Sequence, residues 1–397
     1  MKKNIALLYG FSFFDQFMIV IALWIPYLTT QGISMRQFME LQAIFAIVIL
    51  CGEVPSGLLS DLWGRKKTLL LGTTLKAVSF SFLPLLSSYE GFLVYHLTMG
   101  IALSLISGGD IALLWDSYLA TGGEKSRGSA VLGNMTFAAQ VGTTMSALIG
   151  GAVVTLSYGH LLWANAILMW IPVIVVLCVS EPPASYERPK KWSQDLRDVL
   201  SAALVRDTVT RLVFTNVVVW GSGSLLMFWV NQKYWQETAV PLPWFGVLLA
   251  AYNLIDGFAA KAAARGAARY GRRPMLAVAG VLPLVAYFTM AAFFGWAGIV
   301  FGFLFKIGRG ALGVLLMEAL NKRISSAFRA TVISLSQLGL RASFCVLGPL
   351  VGYGIDAWGM PSVLSALGIL FSIVFAGLLL PLPLRETALR AEPEPSR

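Results

Sequence analysis

A short basic turn between two long apolar runs occurs twice in this chain and constrains the fold more than any other feature. The first copy, at 57–67, reads Gly-Leu-Leu-Ser-Asp-Leu-Trp-Gly-Arg-Lys-Lys. The second copy, at 264–274, reads Ala-Arg-Gly-Ala-Ala-Arg-Tyr-Gly-Arg-Arg-Pro, so its Gly-Arg-Arg aligns with the Gly-Arg-Lys of the first. A motif that recurs at matching places in both halves indicates internal duplication. We therefore predict two related halves, each with this turn between two membrane helices.

The apolar runs predict an integral membrane protein. Hydrophobic residues make up 57% of the chain and charged residues only 13%, whereas soluble domains carry about 25% charged residues. Runs of roughly 18 or more apolar residues cross a bilayer as helices. The run after Met1-Lys2-Lys3 continues to Thr29 without a small-residue cleavage site, so we interpret it as a first span and not as a signal peptide. The sequence predicts an all-α protein with twelve spans, at 5–29, 37–59, 68–86, 91–118, 130–156, 160–179, 211–235, 244–265, 274–294, 298–321, 328–354 and 361–383.

Basic residues concentrate in alternate connections between the predicted spans. Three such connections are 65–67, 188–211 and 265–273, whereas the opposite set has only Arg36 and Lys233 near it. Basic loops stay in the cytoplasm. We therefore expect a multi-pass protein of the inner (plasma) membrane with both termini in the cytoplasm. The net charge of +10 then reflects this topology and does not indicate a nucleic-acid partner.

The sequence contains no pattern typical of an enzyme, a metal site or a bound cofactor. The three cysteines all lie in apolar segments, which argues against a disulfide framework. His96 and His160 stand apart from other metal-binding side chains, and we interpret them as structural or interfacial. No Walker lysine motif is present, and no set of residues suggests an activated nucleophile. We expect no enzymatic activity, no metal and no cofactor.

The longest connection divides the chain into two sets of six predicted spans. The predicted bundles are residues 1–179 and 211–384, joined by a cytoplasmic linker at 180–210. The polar, proline-containing tail at 385–397 is predicted to be disordered. The linker has apolar residues at helical spacing, which predicts an amphipathic helix on the inner membrane face; these residues are Trp192, Leu196, Val199, Leu200 and Ala203.

The first copy of the turn resembles the loop between helices 2 and 3 of the major facilitator superfamily, whose pattern is roughly G-x-L-a-D-r-x-G-r-k. Gly57, Asp61, Gly64 and Arg65 match this pattern, and the second copy has Ala268 at the position of the acid. The resemblance covers nearly the whole chain. It implies two pseudo-symmetric bundles of six helices around a central cavity, which the first, fourth, seventh and tenth helices line.

The fifth predicted span partly matches a pattern of drug–proton antiporters, which is G-x-x-x-G-P-x-x-G-G. Residues 142–151 read GTTMSALIGG, with Ser146 and Ala147 in place of Gly-Pro. A drug–proton antiporter is therefore one possible relative, and the direction of transport stays open.

Charged groups at the cytoplasmic helix ends are interpreted as a gate. In the resembled family the turn helps to hold the outward-facing state, and facing carboxylates and guanidiniums there can latch the two bundles together. Asp116 and Arg127 of the first half align, at one common offset, with Glu318 and Arg329 of the second. The predicted gating residues are Gly57, Asp61, Gly64, Arg65, Asp116, Arg127, Arg272, Glu318 and Arg329.

Carboxylates inside the predicted spans are candidates for proton coupling, because ionisable groups are costly in a bilayer. Asp15 lies about 15 Å into the first span, where apolar surroundings favour the protonated form of a carboxylate. It is either a proton carrier or one partner of a static ion pair. Asp110, after the small residues Ser107-Gly108-Gly109, is either a proton relay or a structural partner. Glu53 is expected to bridge to a neighbouring helix, with proton coupling as the alternative.

Cations in the second half predict a site for an anionic substrate group. Lys306 and Arg309 lie three residues apart and share one face of the tenth span, and Arg341 lies near the middle of the eleventh. Guanidinium groups bind carboxylates and phosphates with matched geometry. The alternative is static pairing of these cations with Asp256 or Asp15.

Aromatic and polar residues of the first and seventh spans are further candidates for the substrate cavity. Phe13 and Trp220 are expected to contribute apolar surface, and Gln16 a supporting polar group. Lys76 lies in the third span, which is peripheral in the resembled family, so we expect it to be paired or to extend to the interface.

Together these patterns predict a monomeric, proton-coupled secondary transporter in the lipid bilayer. Its substrates are expected to be small amphiphilic or anionic organic compounds, with export favoured. One alternative is an uptake symporter for an organic anion. Another is a non-transporting membrane sensor or lipid-handling protein, which the charges within the spans make less favourable.

Overall fold

The computed structural model describes residues 1–124, 128–182, 207–324 and 329–382. Every regular element within these ranges is a helix. In chain order they are α1 (Lys2–Asp15), a 3₁₀ turn (Ile21–Leu23), α2 (Trp24–Thr30), α3 (Met35–Trp63), α4 (Arg65–Phe82), a 3₁₀ turn (Leu83–Leu85), α5 (Tyr89–Ile106), α6 (Gly109–Leu119), α7 (Gly128–Val153), α8 (Tyr158–Leu168), α9 (Ile171–Cys178), α10 (Thr208–Glu237), α11 (Leu242–Tyr270), α12 (Arg272–Ala292), α13 (Trp296–Arg323), α14 (Arg329–Trp358), α15 (Met360–Val374) and a π-helical turn (Phe375–Leu379).

Three sequence predictions fall outside the described part of the chain. They are the amphipathic helix of the linker, the disordered tail at 385–397 and the position of Arg127. Arg329 begins α14, but its side chain is also not described. The predicted domain boundaries at 179, 211 and 384 therefore stay predictions.

The membrane spans agree closely with those predicted from the apolar runs. Among the described residues, ten helical stretches are long and apolar enough to cross a bilayer. Their bounds lie within a few residues of ten predicted spans. The other two predicted spans correspond to α7 and to the segment formed by α1, the first 3₁₀ turn and α2. The prediction of an all-α membrane protein is confirmed.

Three predicted spans, the first, the fourth and the sixth, are interrupted rather than continuous, and the sixth is broken at Met169 and Trp170, between α8 and α9. The first is broken after Asp15, where α1 ends, and helix resumes at Ile21. The fourth is broken at Ser107 and Gly108, the latter with φ of +78°, before α6 begins. Interrupted helices at membrane depth leave backbone groups that need protein or water partners, and they are common at transporter binding sites.

The first compact unit runs from Met1 through α9 and also includes Ala239–Ala250 at the start of α11. In it α1 packs against α7 and α9. A Cβ atom added at Gly142 would collide with the carbonyl of Phe13, and one added at Gly150 with the carbonyl of Ile19. The glycines of the pattern at 142–151 thus allow α7 to approach the broken first span closely.

The second compact unit contains α10 through Thr238 and the described residues from Ala251 onward. Within it α12 packs against α13 and α15, and α10 packs against α13 and α14. Close approach again depends on glycine. A Cβ atom added at Gly310 would collide with the carbonyl of Asp256, and one added at Gly308 would lie 2.8 Å from the carbonyl of Ala279.

Candidate functional site

A buried ion pair lies at the break in the first span. Lys76 Nζ donates to Asp15 Oδ1 at 2.7 Å and to the Asp15 carbonyl oxygen at 2.7 Å. Gln16 Nε2 donates to Asp15 Oδ2 at 3.0 Å. The side chains of Lys76 and Asp15 are only 3% and 6% exposed. Both carboxylate oxygens therefore have partners, and the charges balance in a place that water barely reaches.

The position of Lys76 follows from the packing of α4. Leu69, Thr73, Lys76 and Phe80 lie on one buried face of this helix. A Cβ atom added at Gly72 would lie 2.9 Å from the carbonyl of Ala102, so glycine lets α4 and α5 approach. Sequence reasoning did not include Lys76 in the site. The available signal was a single charged residue, the lysine, on a helical face that is otherwise uncharged.

Asp110, at the second break, differs from Asp15 in its surroundings. It lies half-buried in the first turn of α6. Its Oδ1 accepts the N–H of Ile111 at 2.8 Å. Glu53 lies half-buried in α3, where its carbonyl accepts the Ser56 hydroxyl at 3.0 Å. Asp110 therefore shares with Asp15 a position at a helix break, whereas Glu53 lies within a continuous helix.

The basic turn of the first half is held by acids within its own unit. Arg65 Nη1 bonds to the Asp116 carboxylate and donates to the Ala112 carbonyl at 2.9 Å. The two carboxylate oxygens of Glu181 accept the N–H groups of Arg65 and Lys66, each at 2.9 Å. A carboxylate at a helix N-terminus is favoured because it bonds unpaired N–H groups at the positive end of the helix dipole. Sequence reasoning missed Glu181, since no pattern connects it to the turn.

The second half repeats this arrangement in weaker form. Arg272 Nη2 lies 3.4 Å from Glu318 Oε1, and Lys322 Nζ lies 2.5 Å from the same oxygen. Gly64 and Gly271, which precede the two arginines, have φ of +97° and +89°. Both copies therefore need glycine at the turn, because a side chain disfavours that conformation.

The predicted gating residues thus include two equivalent ion pairs, each within one unit. The pairs are Arg65 with Asp116 and Arg272 with Glu318. Gly57 and Asp61 lie exposed near the end of α3. The predicted latch between the halves stays a prediction.

The charged residues of α11 and α13 form a second cluster. Arg309 Nη1 lies 2.5 Å from Asp256 Oδ2, as the static-pairing alternative expected. Asp256 Oδ1 is buried and has no hydrogen-bond partner among the described residues. Lys306 Nζ lies 5.5 Å from the centroid of the Tyr252 ring, and the residue is only 4% exposed. Arg341 lies half-buried in α14.

The aromatic candidates have different surroundings. The ring of Phe13 lies 4.9 Å from that of Phe14 and 5.3 Å from that of Phe17, and Phe13 is half-buried. Trp220 packs on Phe371 with ring centroids 5.4 Å apart, and its Nε1 donates to Asn216 at 3.3 Å. Trp220 therefore has the contacts of a core side chain, whereas Phe13 keeps accessible apolar surface beside Asp15.

Comparisons with known proteins identify the family. Residues 5–242, more than half of the chain, match the family described as Major Facilitator Superfamily. A search of curated proteins gave no significant match. The structure is similar to that of a nucleoside transporter NupG mutant (TM-score 0.77, 15% identity, covering 96% of this chain and 100% of that one).

Two further solved structures share the fold. A bacterial homologue of the human lysosomal transporter Spinster, in an inward-facing and unoccupied conformation, has a TM-score of 0.78 at 14% identity, with 99% of this chain and 98% of that one covered. A D-xylose–proton symporter has a TM-score of 0.70 at 12% identity, with 94% and 96% covered. At these identities the likeness establishes the fold alone, so the assignment depends on the sequence match. The chain belongs to the major facilitator superfamily, and it is a multi-pass membrane transporter rather than an enzyme.

Proposed function

We propose that this protein is a proton-coupled secondary transporter that exports small amphiphilic or anionic organic compounds by alternating access. The observation that carries the proposal is the buried Asp15–Lys76 pair at the break in the first span. This carboxylate is enclosed at a helix break and has one lysine as its ionic partner. Its protonation would therefore strongly weaken the ion pair. We expect the protein to act as a monomer in the plasma membrane, with both termini in the cytoplasm.

Proton binding at Asp15 would couple to conformation through its effect on Lys76. With Asp15 ionised, the pair is complete. With Asp15 protonated, Lys76 becomes an uncompensated buried cation, and losing one partner of a buried pair costs about 3–5 kcal/mol. A conformation that gives Lys76 water or another partner is then favoured. Coupling requires this kind of difference between two states.

Asp110 is the second proton-binding group in this proposal. It is more accessible than Asp15 and lies at the break in the fourth span. Asp110 therefore supplies a route between Asp15 and water.

The test is proton movement in proteoliposomes. Asp15→Asn mimics the protonated form and should abolish transport driven by a pH gradient while keeping substrate exchange. Glu90→Gln, at an exposed carboxylate in the first turn of α5, is the matched control and should behave as wild type. If Asp15→Asn still moves protons at the wild-type stoichiometry, Asp15 is only a structural partner.

An uptake symporter for an organic anion is the second candidate. The excess of positive charge at Lys306, Arg309 and Asp256 favours an anionic substrate in either direction. Vesicles of known orientation distinguish the two functions. In a proton-coupled exporter the substrate and the protons cross the membrane in opposite directions. In a symporter they cross in the same direction.

A further inference from the structure

The second unit encloses an ammonium group that forms no close ion pair of its own among the described residues. Lys306 lies in the middle region of α13 and is 4% exposed. Its contact there is the face of the Tyr252 ring, with Nζ 5.5 Å from the centroid. A ring face attracts a cation less strongly than a carboxylate does. A buried charge without a partner is costly, so this site favours the arrival of an anion.

The nearest acid does not balance this lysine. Asp256 holds Arg309 through Oδ2 at 2.5 Å, and Lys306 and Arg309 share one face of α13 because they lie three residues apart. Two cations and one carboxylate leave one net positive charge. A single negative charge on a ligand would therefore neutralise the cluster.

The same cluster has an unused acceptor. Asp256 Oδ1 is buried and bonds to no described group. Leaving a buried carboxylate oxygen without a donor costs free energy, so a ligand that brings a hydroxyl donor binds better than one that does not. The donor on an anionic ligand is better a hydroxyl than an ammonium group. A hydroxyl leaves the cluster and ligand together neutral, whereas an ammonium group would add a positive charge again.

One member of the cluster, Arg309, is open to water, although it lies deep in the chain's membrane-spanning part. The Arg309 side chain is 41% exposed and lies almost at the centre of α13. A guanidinium group at this depth is too costly to face lipid, so its exposed part faces a water-filled cavity. A small polar solute can therefore reach Arg309, whose ion-pair partner is Asp256.

The aromatic wall of the cluster is held rigidly. The Tyr252 hydroxyl donates to the Ile299 carbonyl at 3.3 Å, and its ring packs edge-on against Phe303 and Trp235, at 4.6 and 5.4 Å between centroids. A Cβ atom added at Gly302 would collide with the Tyr252 hydroxyl. The wall is thus positioned before any ligand binds, which reduces the cost of binding.

We propose that Lys306, Tyr252 and Asp256 bind a small organic monoanion that carries a hydroxyl group. The anionic group bonds to Lys306, the hydroxyl donates to Asp256 Oδ1, and the apolar part of the ligand lies near the Tyr252 ring. Arg309 orients Asp256 through its contact with Oδ2. This inference names the substrate class of the proposed transporter, and in that sense it depends on the proposed function.

Equilibrium binding to the full-length protein in detergent, without any ion gradient, tests the inference. The probes form a matched series: mandelate, phenylacetate, neutral phenylacetamide and cationic phenethylammonium. Ligands that bind the native state raise the unfolding temperature. Mandelate should stabilise the wild-type protein most, phenylacetate less, and the neutral and cationic probes not at all.

Variants at Lys306 assign the effect. Lys306→Gln should weaken mandelate binding about tenfold or more, because a charge-assisted hydrogen bond is lost, while Lys306→Arg should keep the preference for anions. Lys261→Gln, at an exposed lysine in α11, is the control and should bind as wild type. The inference is wrong if no anion in the series binds, if phenylacetamide binds as well as mandelate, or if Lys306→Gln is unchanged.

Proton coupling does not enter this measurement. Binding is measured on the wild-type protein and the Lys306 variants without an ion gradient, whereas the Asp15→Asn experiment measures pH-driven transport. A negative transport result therefore contradicts proton coupling at Asp15 but not anion binding at Lys306. A negative binding result contradicts anion binding at Lys306 but not proton coupling at Asp15.

Discussion

The buried charges of the two units differ in balance. In the first unit Asp15 and Lys76 form one complete pair, and both carboxylate oxygens have donors. In the second unit Asp256 pairs closely with Arg309 alone, so Lys306 has no close ion pair and Asp256 Oδ1 has no hydrogen-bond donor among the described residues. The charges of the first unit are satisfied by each other, whereas those of the second unit lack one negative charge and one hydrogen-bond donor.

This difference indicates what each group of charges can respond to. A complete buried pair changes its charge only when a proton arrives or leaves. An incomplete cluster gains from any ligand that supplies the missing charge and donor. We therefore propose proton coupling for the first unit and anion binding for the second. The following experiments test that division.

The largest expected effect is on stability in the first unit. Lys76→Gln should lower the free energy of unfolding by about 3–5 kcal/mol, because Asp15 is left buried and uncompensated. Unfolding in detergent measures this. The double variant Asp15→Asn/Lys76→Gln should recover most of the loss, since no charge remains. Equal losses in the single and double variants would show that packing, and not charge, dominates.

An intermediate effect is expected at the turn of the first half. Asp116→Asn removes the charged acceptor of Arg65, in a pair whose side chains are 13% and 24% exposed. A hydrogen bond to a charged group contributes about 1.5–3 kcal/mol, so a loss near the lower end is expected because water screens the pair partly. The measurement is again unfolding in detergent. No loss would mean that the Ala112 carbonyl alone holds Arg65.

A smaller effect of opposite sign is expected at Lys306. Lys306→Gln removes a buried cation that no described carboxylate balances, so the ligand-free protein should gain up to about 1 kcal/mol of stability or stay unchanged. Comparison with Lys76→Gln is the most direct test of the contrast between the units. A loss of several kcal/mol at Lys306 would show that it has a structural anion partner, and the contrast would fail.

The smallest effect is expected at the second copy of the turn. Glu318→Gln should change the free energy of unfolding by no more than about 0.5 kcal/mol, because exposed ion pairs contribute little. Its side chain is 41% exposed, in contrast to that of Asp116. Matched unfolding curves of the two variants measure the asymmetry between the copies, and equal losses would refute it.

Much of the fold was predictable because membrane helices carry their signal locally. Apolar runs located the spans, and the repeated turn predicted the duplication. The interruption of the first span was not predictable. Residues 16–20 contain neither proline nor glycine, and the break is stabilised by distant groups. Gly150 packs on the Ile19 carbonyl, and Asn165 accepts the Val20 N–H at 3.4 Å.

The candidate residues could be selected from the sequence, but not all of their partners. Asp15, Lys306 and Arg309 were evident because charge is rare within apolar runs, and pairing of Arg309 with Asp256 was one of the stated alternatives. That Lys76 joins Asp15 depends on which helices are neighbours, which spacing within one helix does not reveal. Glu181 was missed for the same reason, because its partners are backbone N–H groups more than a hundred residues away.

The double contact that Lys76 makes with Asp15 has a consequence for reversibility. Its ammonium group makes two hydrogen bonds to this residue, one to the carboxylate and one to the backbone carbonyl at the end of α1. Protonation of the carboxylate weakens only the first of these bonds, because a backbone carbonyl does not titrate. Lys76 can therefore lose its ionic partner and still stay beside Asp15. When the proton leaves, the ion pair can re-form without a large movement of the lysine side chain.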